Sequence, residues 1–204
     1  MSKICAIILA AGESKRMKVP KMLLDFNGET MIEKVIWNVK QSEVSHILVV
    51  LGAYRDELSL ITERLEVAVC YNDIYKSGML SSVQCGFRNL PETWDAVMVF
   101  PGDQPFIEPG VINELIKAFS ETKKGIVIPV YGKKRGHPIL IGAEYRNSVA
   151  DLPEEEGLRS LAQKNPGDVL EVETGSPGIL KDFDTYEDYI NGINNPRYGT
   201  ENQF

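Results

Sequence analysis

Hydrophobic and polar positions along the chain follow two alternating periods. Ile4-Cys-Ala-Ile-Ile-Leu9 is an unbroken apolar run, the pattern of a strand buried on both faces. Comparable runs recur at Ser45–Leu51, Val67–Tyr71, Ala96–Phe100 and Gly125–Val130. Between them the period lengthens. Met31, Ile32, Val35, Ile36 and Val39 repeat at helical spacing, with Thr30 as N-cap and Glu33 three residues on to complete a capping box. Asp56–Arg64, Val111–Phe119 and Gly157–Gln163 read as further helices, and Asp182–Tyr189 leads into a last one. Lys21–Phe26 is a short extended piece closed by the turn signal Asn27-Gly28. Ile139–Ile141 is a short strand, and Val169–Val172 an edge-like one. Buried strands alternating with amphipathic helices predict an α/β fold, a mostly parallel sheet with helices on both faces. Residues 1–193 form one domain in this reading, and the polar stretch 194–204, with Pro196 and Gly199, a mobile tail.

Size and charge narrow the function. A chain of 204 residues suits one domain with a substantial core. Its net charge of −7 argues against a broad surface for nucleic acid or an anionic membrane. No apolar run approaches the ~20 residues of a membrane span. The N-terminus leads straight into a strand without signal-peptide architecture, so cytoplasm is the expected location. Three cysteines, Cys5, Cys70 and Cys85, form no C-x-x-C pair and suggest neither a disulfide scaffold nor a zinc site. Cys5 and Cys70 lie in strand patterns as packing residues, whereas Cys85 is near a potential ligand loop.

The acidic total leaves room for a local basic site. After Leu9 the chain continues Ala10-Ala11-Gly12, small residues that let backbone approach a ligand, then Ser14-Lys15-Arg16 at a turn or short helix, with Lys18 and Lys21 beyond. Such a loop suits a polyphosphate, although its spacing is neither that of a P-loop nor of a dinucleotide fingerprint. A solvated basic tip on an ordinary strand–loop–helix connection is the alternative. In an open parallel sheet, ligands lie at the carboxyl ends of strands. Asp103 falls at such an end, between Gly102 and Pro105, where a carboxylate can hold Mg²⁺ or can cap the next turn. Asp184, with Asp182 as competitor, is a second ligand if the last segment returns to this edge; otherwise Asp184 or Thr185 caps the last helix, with Glu187 closing the box. Ser77-Gly78 makes a loop, and Ser81-Ser82 cap or begin the helix that follows. His137, in the basic loop Gly132-Lys-Lys-Arg-Gly-His-Pro138, is either a surface histidine or a group orienting an anionic substrate.

Several of these stretches occur in the order of a known family. Leu9-Ala-Ala-Gly-Glu-Ser-Lys-Arg-Met17 with Lys21-Met-Leu-Leu24, Ser77-Gly-Met-Leu-Ser-Ser82, Gly102-Asp-Gln-Pro105, Gly136-His-Pro138 and Asp182-Phe-Asp-Thr-Tyr-Glu-Asp-Tyr189 together resemble the MobA-like nucleotidyltransferases, and among them the molybdenum cofactor cytidylyltransferases. The resemblance implies a Rossmann-like three-layer fold. It implies CMP transfer from CTP to molybdopterin cofactor with release of pyrophosphate, and possible delivery of the product to a molybdoenzyme. Leu9, Ala10, Ala11, Gly12, Arg16, Lys21, Gly78, Ser81 and Ser82 would bind nucleotide, with Arg16 on the β- and γ-phosphates and Lys21 on the α-phosphate. Asp103 and Asp184 would hold Mg²⁺, and His137 and Arg159 would face the acceptor. Arg16, Lys21 and Asp103 would form the catalytic set. Relatives that use GTP read Leu-Ala-Gly-Gly where this chain reads Leu-Ala-Ala-Gly, which favours CTP. Rival readings are nucleotidyl transfer to an isoprenoid precursor or a sugar phosphate, guanylyl transfer, and a non-catalytic accessory protein that inserts cofactor.

Overall fold

In a computed structural model, residues 2–193 are described; the tail expected over 194–204 lies outside them. The chain runs β1 (Ile4–Ala10), β2 (Asp25–Phe26), β3 (Glu29–Thr30), α1 (Met31–Lys40), β4 (His46–Leu51), α2 (Arg55–Arg64), β5 (Ala68–Tyr71) and α3 (Met79–Asn89). It continues through β6 (Ala96–Pro101), α4 (Pro109–Glu121), β7 (Ile126–Tyr131), β8 (Lys134–Arg135), β9 (Ile139–Gly142), α5 (Arg146–Ala150), α6 (Gly157–Lys164), β10 (Val169–Glu173) and α7 (Tyr186–Ile193).

The main sheet has the order β10-β7-β9-β6-β1-β4-β5, with β8 paired to β7. Strands β6, β1, β4 and β5 are mutually parallel, as are β7 and β10. β9 is antiparallel to both neighbours, β6 and β7, so the sheet is mixed but mostly parallel. All seven residues of β1 are buried, and it lies inside the sheet between β6 and β4. Its side chains alternate between two cores. Ile4, Ala6, Ile8 and Ala10 pack with Ile32, Val35 and Ile36 of α1 and Ile112 and Leu115 of α4. Cys5, Ile7 and Leu9 pack on the other face with Leu80, Val83 and Phe87 of α3 and Leu161 of α6. Burying each such isoleucine contributes about 1.5–3 kcal/mol. That layering is the Rossmann-like arrangement expected.

A third cluster positions the end of the chain. Phe26, Phe106, Phe183 and Tyr189 form a chain of ring contacts, Phe26 meeting Phe106 edge-on at 5.3 Å between centroids. The Tyr189 hydroxyl donates to the Asp25 carbonyl at 2.5 Å. This packing draws the start of α7 back over the β2–β3 hairpin.

Local corrections follow physical causes. The expected extended piece Lys21–Phe26 is a 3-10 turn over Lys21–Leu23 followed by β2. β6 extends to Pro101, which pairs with Leu9, because the strand runs in parallel to β1 right to its end. The basic loop 132–138 contains the hairpin strand β8, anchored by Arg135 to Glu171 at 2.6 Å. α3 starts at Met79, ahead of Ser81 and Ser82, since Gly78 at φ +108° turns the chain into it. The capping box of α7 uses Thr185 with Asp188, not Glu187; Asp188 lies three residues on and accepts from the Thr185 N–H at 2.9 Å. The box at Thr30 and Glu33 is formed as expected. Cys85 is buried beside Cys70, with its Sγ 3.4 Å from the Tyr71 carbonyl, and so belongs to the core and not to a ligand loop.

Candidate active site

Two cavities lie side by side at the carboxyl end of the central strands. The larger, about 500 Å³, is lined by Leu9, Ala11, Gly12, Arg16, Lys21, Gly78, Ser82, Asp103 and Asp184 among others. Four cations (Lys15, Arg16, Lys21, Lys76) face it against three carboxylates (Glu13, Asp103, Asp184), so its lining is net +1 in a chain that carries −7. The smaller, about 300 Å³, has a floor of Leu9, Val83, Val99, Ile128, Ile139 and Leu158, with Arg135, His137 and Arg159 around it. Leu9, Met79 and Pro101 line both.

The first loop is organised by Ser14. Its backbone takes φ +52°, and its carbonyl accepts from Met17 N and Lys18 N at 3.0 Å each. Its hydroxyl accepts from the Lys21 N–H at 3.2 Å. A non-glycine residue in this conformation is held by such bonds at some cost. The result is a tight turn that swings Arg16 and Lys21 to the same side. A side chain added at Gly12 would meet nothing within 4 Å, so open space borders the backbone there.

Asp103 is placed by the end of β6. The Gly102 N–H donates to the Leu9 carbonyl at 3.0 Å, and a Cβ at Gly102 would stand 2.8 Å from that oxygen. Only glycine allows the chain so close to β1, and this approach sets Asp103 beside the first loop. The Lys21 ammonium forms an ion pair with Asp103, and lies 3.4 Å from the Phe183 carbonyl. This pair is enclosed, its side chains 16% and 12% exposed. Arg16 pairs with Asp184 in a much more open setting, 72% and 46% exposed. Asp182 is the outer neighbour of the two carboxylates. Burial first, then the charges of Asp103 and Asp184, push its pKa up.

The nucleotide-binding expectations divide by geometry. Ala10 faces the α1/α4 core, and the buried Ser81 hydroxyl donates to the Gly78 carbonyl at 2.8 Å, away from the cavity lining. Asn72, which sequence reasoning passed over, joins these parts: its carboxamide donates to Ser81 and Ser82, both at 2.9 Å, and accepts from Ile74 N at 3.1 Å. Its position just past β5 was the available signal, by the same strand-end rule that singled out Asp103. Tyr75 and Met79, also unremarked, line the large cavity.

His137 lies deeper than a surface loop residue. Its backbone N–H donates to the Ile179 carbonyl at 3.0 Å, and its ring Nδ1 is buried without a hydrogen-bond partner. Burial holds its pKa below the ordinary 6.5, with the Asp103 charge acting in the opposite direction.

Metal fit can be judged from the donor set. Among the described residues no three His, Cys, Asp or Glu side chains form a ready-made cage. Two carboxylates on one cavity are the donor set of a Mg²⁺ site completed by substrate phosphates, because that ion retains oxygen ligands from outside the protein. The residues present therefore fit such an ion.

Comparison with known proteins finds relatives in sequence and in fold. A molybdenum cofactor cytidylyltransferase from Escherichia coli (strain K12) is 29% identical over 191 residues, 93% of this chain and 95% of that protein. The bifunctional protein GlmU of Bdellovibrio bacteriovorus is 34% identical over 172 residues, 83% of this chain but only 36% of its own length. Among solved structures, Rv0371c from Mycobacterium tuberculosis superposes with a TM-score of 0.82 at 21% identity, covering 95% of this chain and 99% of that one. A complex of Rv0371c with manganese superposes at 0.77, over 93% and 97% of the two chains, also at 21% identity. No helix among the described residues is long and apolar enough to cross a membrane. The model of the MobA-like NTP transferase domain matches residues 6–169, and the chain belongs to this nucleotidyltransferase family.

Proposed function

We propose that this enzyme transfers CMP from CTP to molybdopterin cofactor, releasing pyrophosphate. The observation that carries the reading is the meeting of Ala11, Gly12, Arg16 and Lys21 with Asp103 and Asp184 on one cavity, next to a second, mostly apolar one. In the reaction the acceptor phosphate oxygen attacks the α-phosphorus of CTP. A new P–O bond forms, the bond to the β-phosphate oxygen breaks, and pyrophosphate carries the electron pair away. No covalent enzyme nucleophile is required, so catalysis reduces to alignment and charge neutralisation.

Each residue has a part that its position supports. The backbone at Ala11 and Gly12 gives the triphosphate an open approach. Arg16, exposed at the lip, offers its fork of donors to the β- and γ-phosphates. Lys21, the enclosed cation, serves the α-phosphate, where charge builds up. Mg²⁺ on Asp103 and Asp184 would supply further neutralisation of phosphate charge. Gly78, and Ser82 held by Asn72, border the nucleoside end. Ala11, in place of a second glycine, supports cytosine over guanine.

The acceptor enters from the other side. Leu9, Val83, Ile128 and Leu158 offer apolar contact, with Arg159 and His137 to fix an anionic group. That combination suits a phosphorylated heterocycle better than a hydroxyl-covered sugar phosphate, the acceptor of one rival reading. The product would then pass to a molybdoenzyme.

The test is pyrophosphate release with each of the four ribonucleoside triphosphates, Mg²⁺ present, with and without molybdopterin cofactor. The expected result is release that needs both CTP and the pterin. Activity restricted to a sugar phosphate would overturn the acceptor, and activity restricted to GTP the donor.

A further inference from the structure

The two candidate metal carboxylates are each occupied by one of the two candidate phosphate-binding cations. Lys21 holds Asp103, and Arg16 holds Asp184. Neither cation is therefore poised for phosphate, nor either carboxylate for metal, until its partner is released. The inner pair carries the greater weight. Its side chains are 16% and 12% exposed, whereas solvent screens the Arg16–Asp184 pair and leaves it worth little. Taking one member of an enclosed pair away exposes an uncompensated charge in a poorly solvated place. A triphosphate that draws Lys21 off Asp103 leaves a bare carboxylate, which also repels the phosphates. A divalent cation that takes Asp103 leaves a bare ammonium. Either ligand alone bears this cost, and the two together remove it.

We infer that the Lys21–Asp103 pair is an exchange latch: the metal takes Asp103 as the triphosphate takes Lys21, so that metal and nucleotide bind cooperatively and each binds poorly alone. The inference rests on the reading of this cavity as a metal–triphosphate site. By linkage the coupling is reciprocal, each ligand strengthening the other by the same factor. The structure thus assigns Asp103 two opposed effects on nucleotide, favourable with metal and unfavourable without it. A residue that served only as a metal ligand would have no reason to oppose nucleotide by holding its lysine.

Titration calorimetry of CTP into the full chain, with Mg²⁺ and with chelator, reads this directly. In the wild type, Mg²⁺ should tighten CTP by about 10-fold or more, within the usual range of such couplings. Asp103→Asn, which keeps the shape but gives up the charge, should lose that response. It should also bind metal-free CTP more tightly than the wild type does. Asp182→Asn controls for the through-space loss of one negative charge, because Asp182 is not the partner of Lys21. A gain in metal-free CTP binding as large in Asp182→Asn as in Asp103→Asn overturns the latch. The mirror experiment uses Mn²⁺ alone, followed by its paramagnetic resonance signal. Lys21→Met should bind Mn²⁺ more tightly than the wild type, and an unchanged or weaker affinity contradicts the exchange. Thermal unfolding of each variant verifies that it is folded, and the two variants change opposite partners of the pair. If the wild type binds no CTP under either condition, the reading of the cavity fails with the latch. If it binds CTP with Mg²⁺ but the variants show no opposed gains, only the latch fails.

Discussion

The two adjoining cavities are built on different principles. The larger is lined by side chains of both signs, with each carboxylate engaged by a cation; the smaller is mostly a floor of aliphatic side chains with cationic groups at its margin. They meet at Leu9, whose side chain contributes to the apolar core on one face of β1 and lines both cavities. The contrast separates two tasks. Handling a triphosphate and a hard cation requires opposite charges that can be redistributed, whatever the acceptor is. Choosing the acceptor depends on shape and apolar contact, with an arginine to fix its anionic end.

The sharpest way to break this comparison is to damage one cavity at a time and read steady-state kinetics. Asp103→Ala should lower turnover by about 100-fold or more with any accepted acceptor, since it removes a charge aimed at the reacting phosphates. Arg159→Ala should leave the KM for CTP near its wild-type value and raise that for the acceptor by about 10-fold, the scale of one charge-assisted hydrogen bond. Equal effects of both variants on both substrates would mean that the cavities act as one.

A smaller effect concerns His137, which lines the smaller cavity. Because burial lowers its folded-state pKa below 6.5, the unfolded chain takes up this proton at pH values where the folded chain does not. Its contribution to stability is therefore complete above pH 6.5 and declines as the pH falls from there towards the lower folded value. Between about pH 7.5 and about pH 5.5, the urea midpoint of the wild type should fall further than that of His137→Gln. Identical falls would show that His137 does not sense acid through its burial.

Much of the fold was legible because its determinants are periodic. The fully apolar run of β1 and the 3-4 spacing of α1 carry their structure in a few adjacent residues. The capping box at Thr30 and Glu33 is equally local. What escaped depends on partners distant in sequence. β9 pairs antiparallel between β6 and β7, and nothing in Ile139–Ile141 states that direction. His137 is drawn inward by the Ile179 carbonyl, so its basic neighbours misrepresent its surroundings. The site shows the same division. Asp103 could be read from the strand-end rule, and Arg16 and Lys21 from the basic loop. Their pairing with the carboxylates could not, because the return of Asp184 depends on the ring cluster of Phe26, Phe106, Phe183 and Tyr189. Asn72 was missed because a lone asparagine after a strand gives no sign of the two hydroxyls it holds.

The most direct test of the central claim, CMP transfer from CTP to a pterin phosphate, follows the α-phosphorus itself. CTP labelled at that position is incubated with the enzyme, Mg²⁺ and molybdopterin cofactor, and the products are separated and identified by mass. The account predicts label in a cytosine dinucleotide of the pterin, with one pyrophosphate released for each molecule formed. Label recovered only as CTP or as free CMP, with the pterin unchanged, would contradict it.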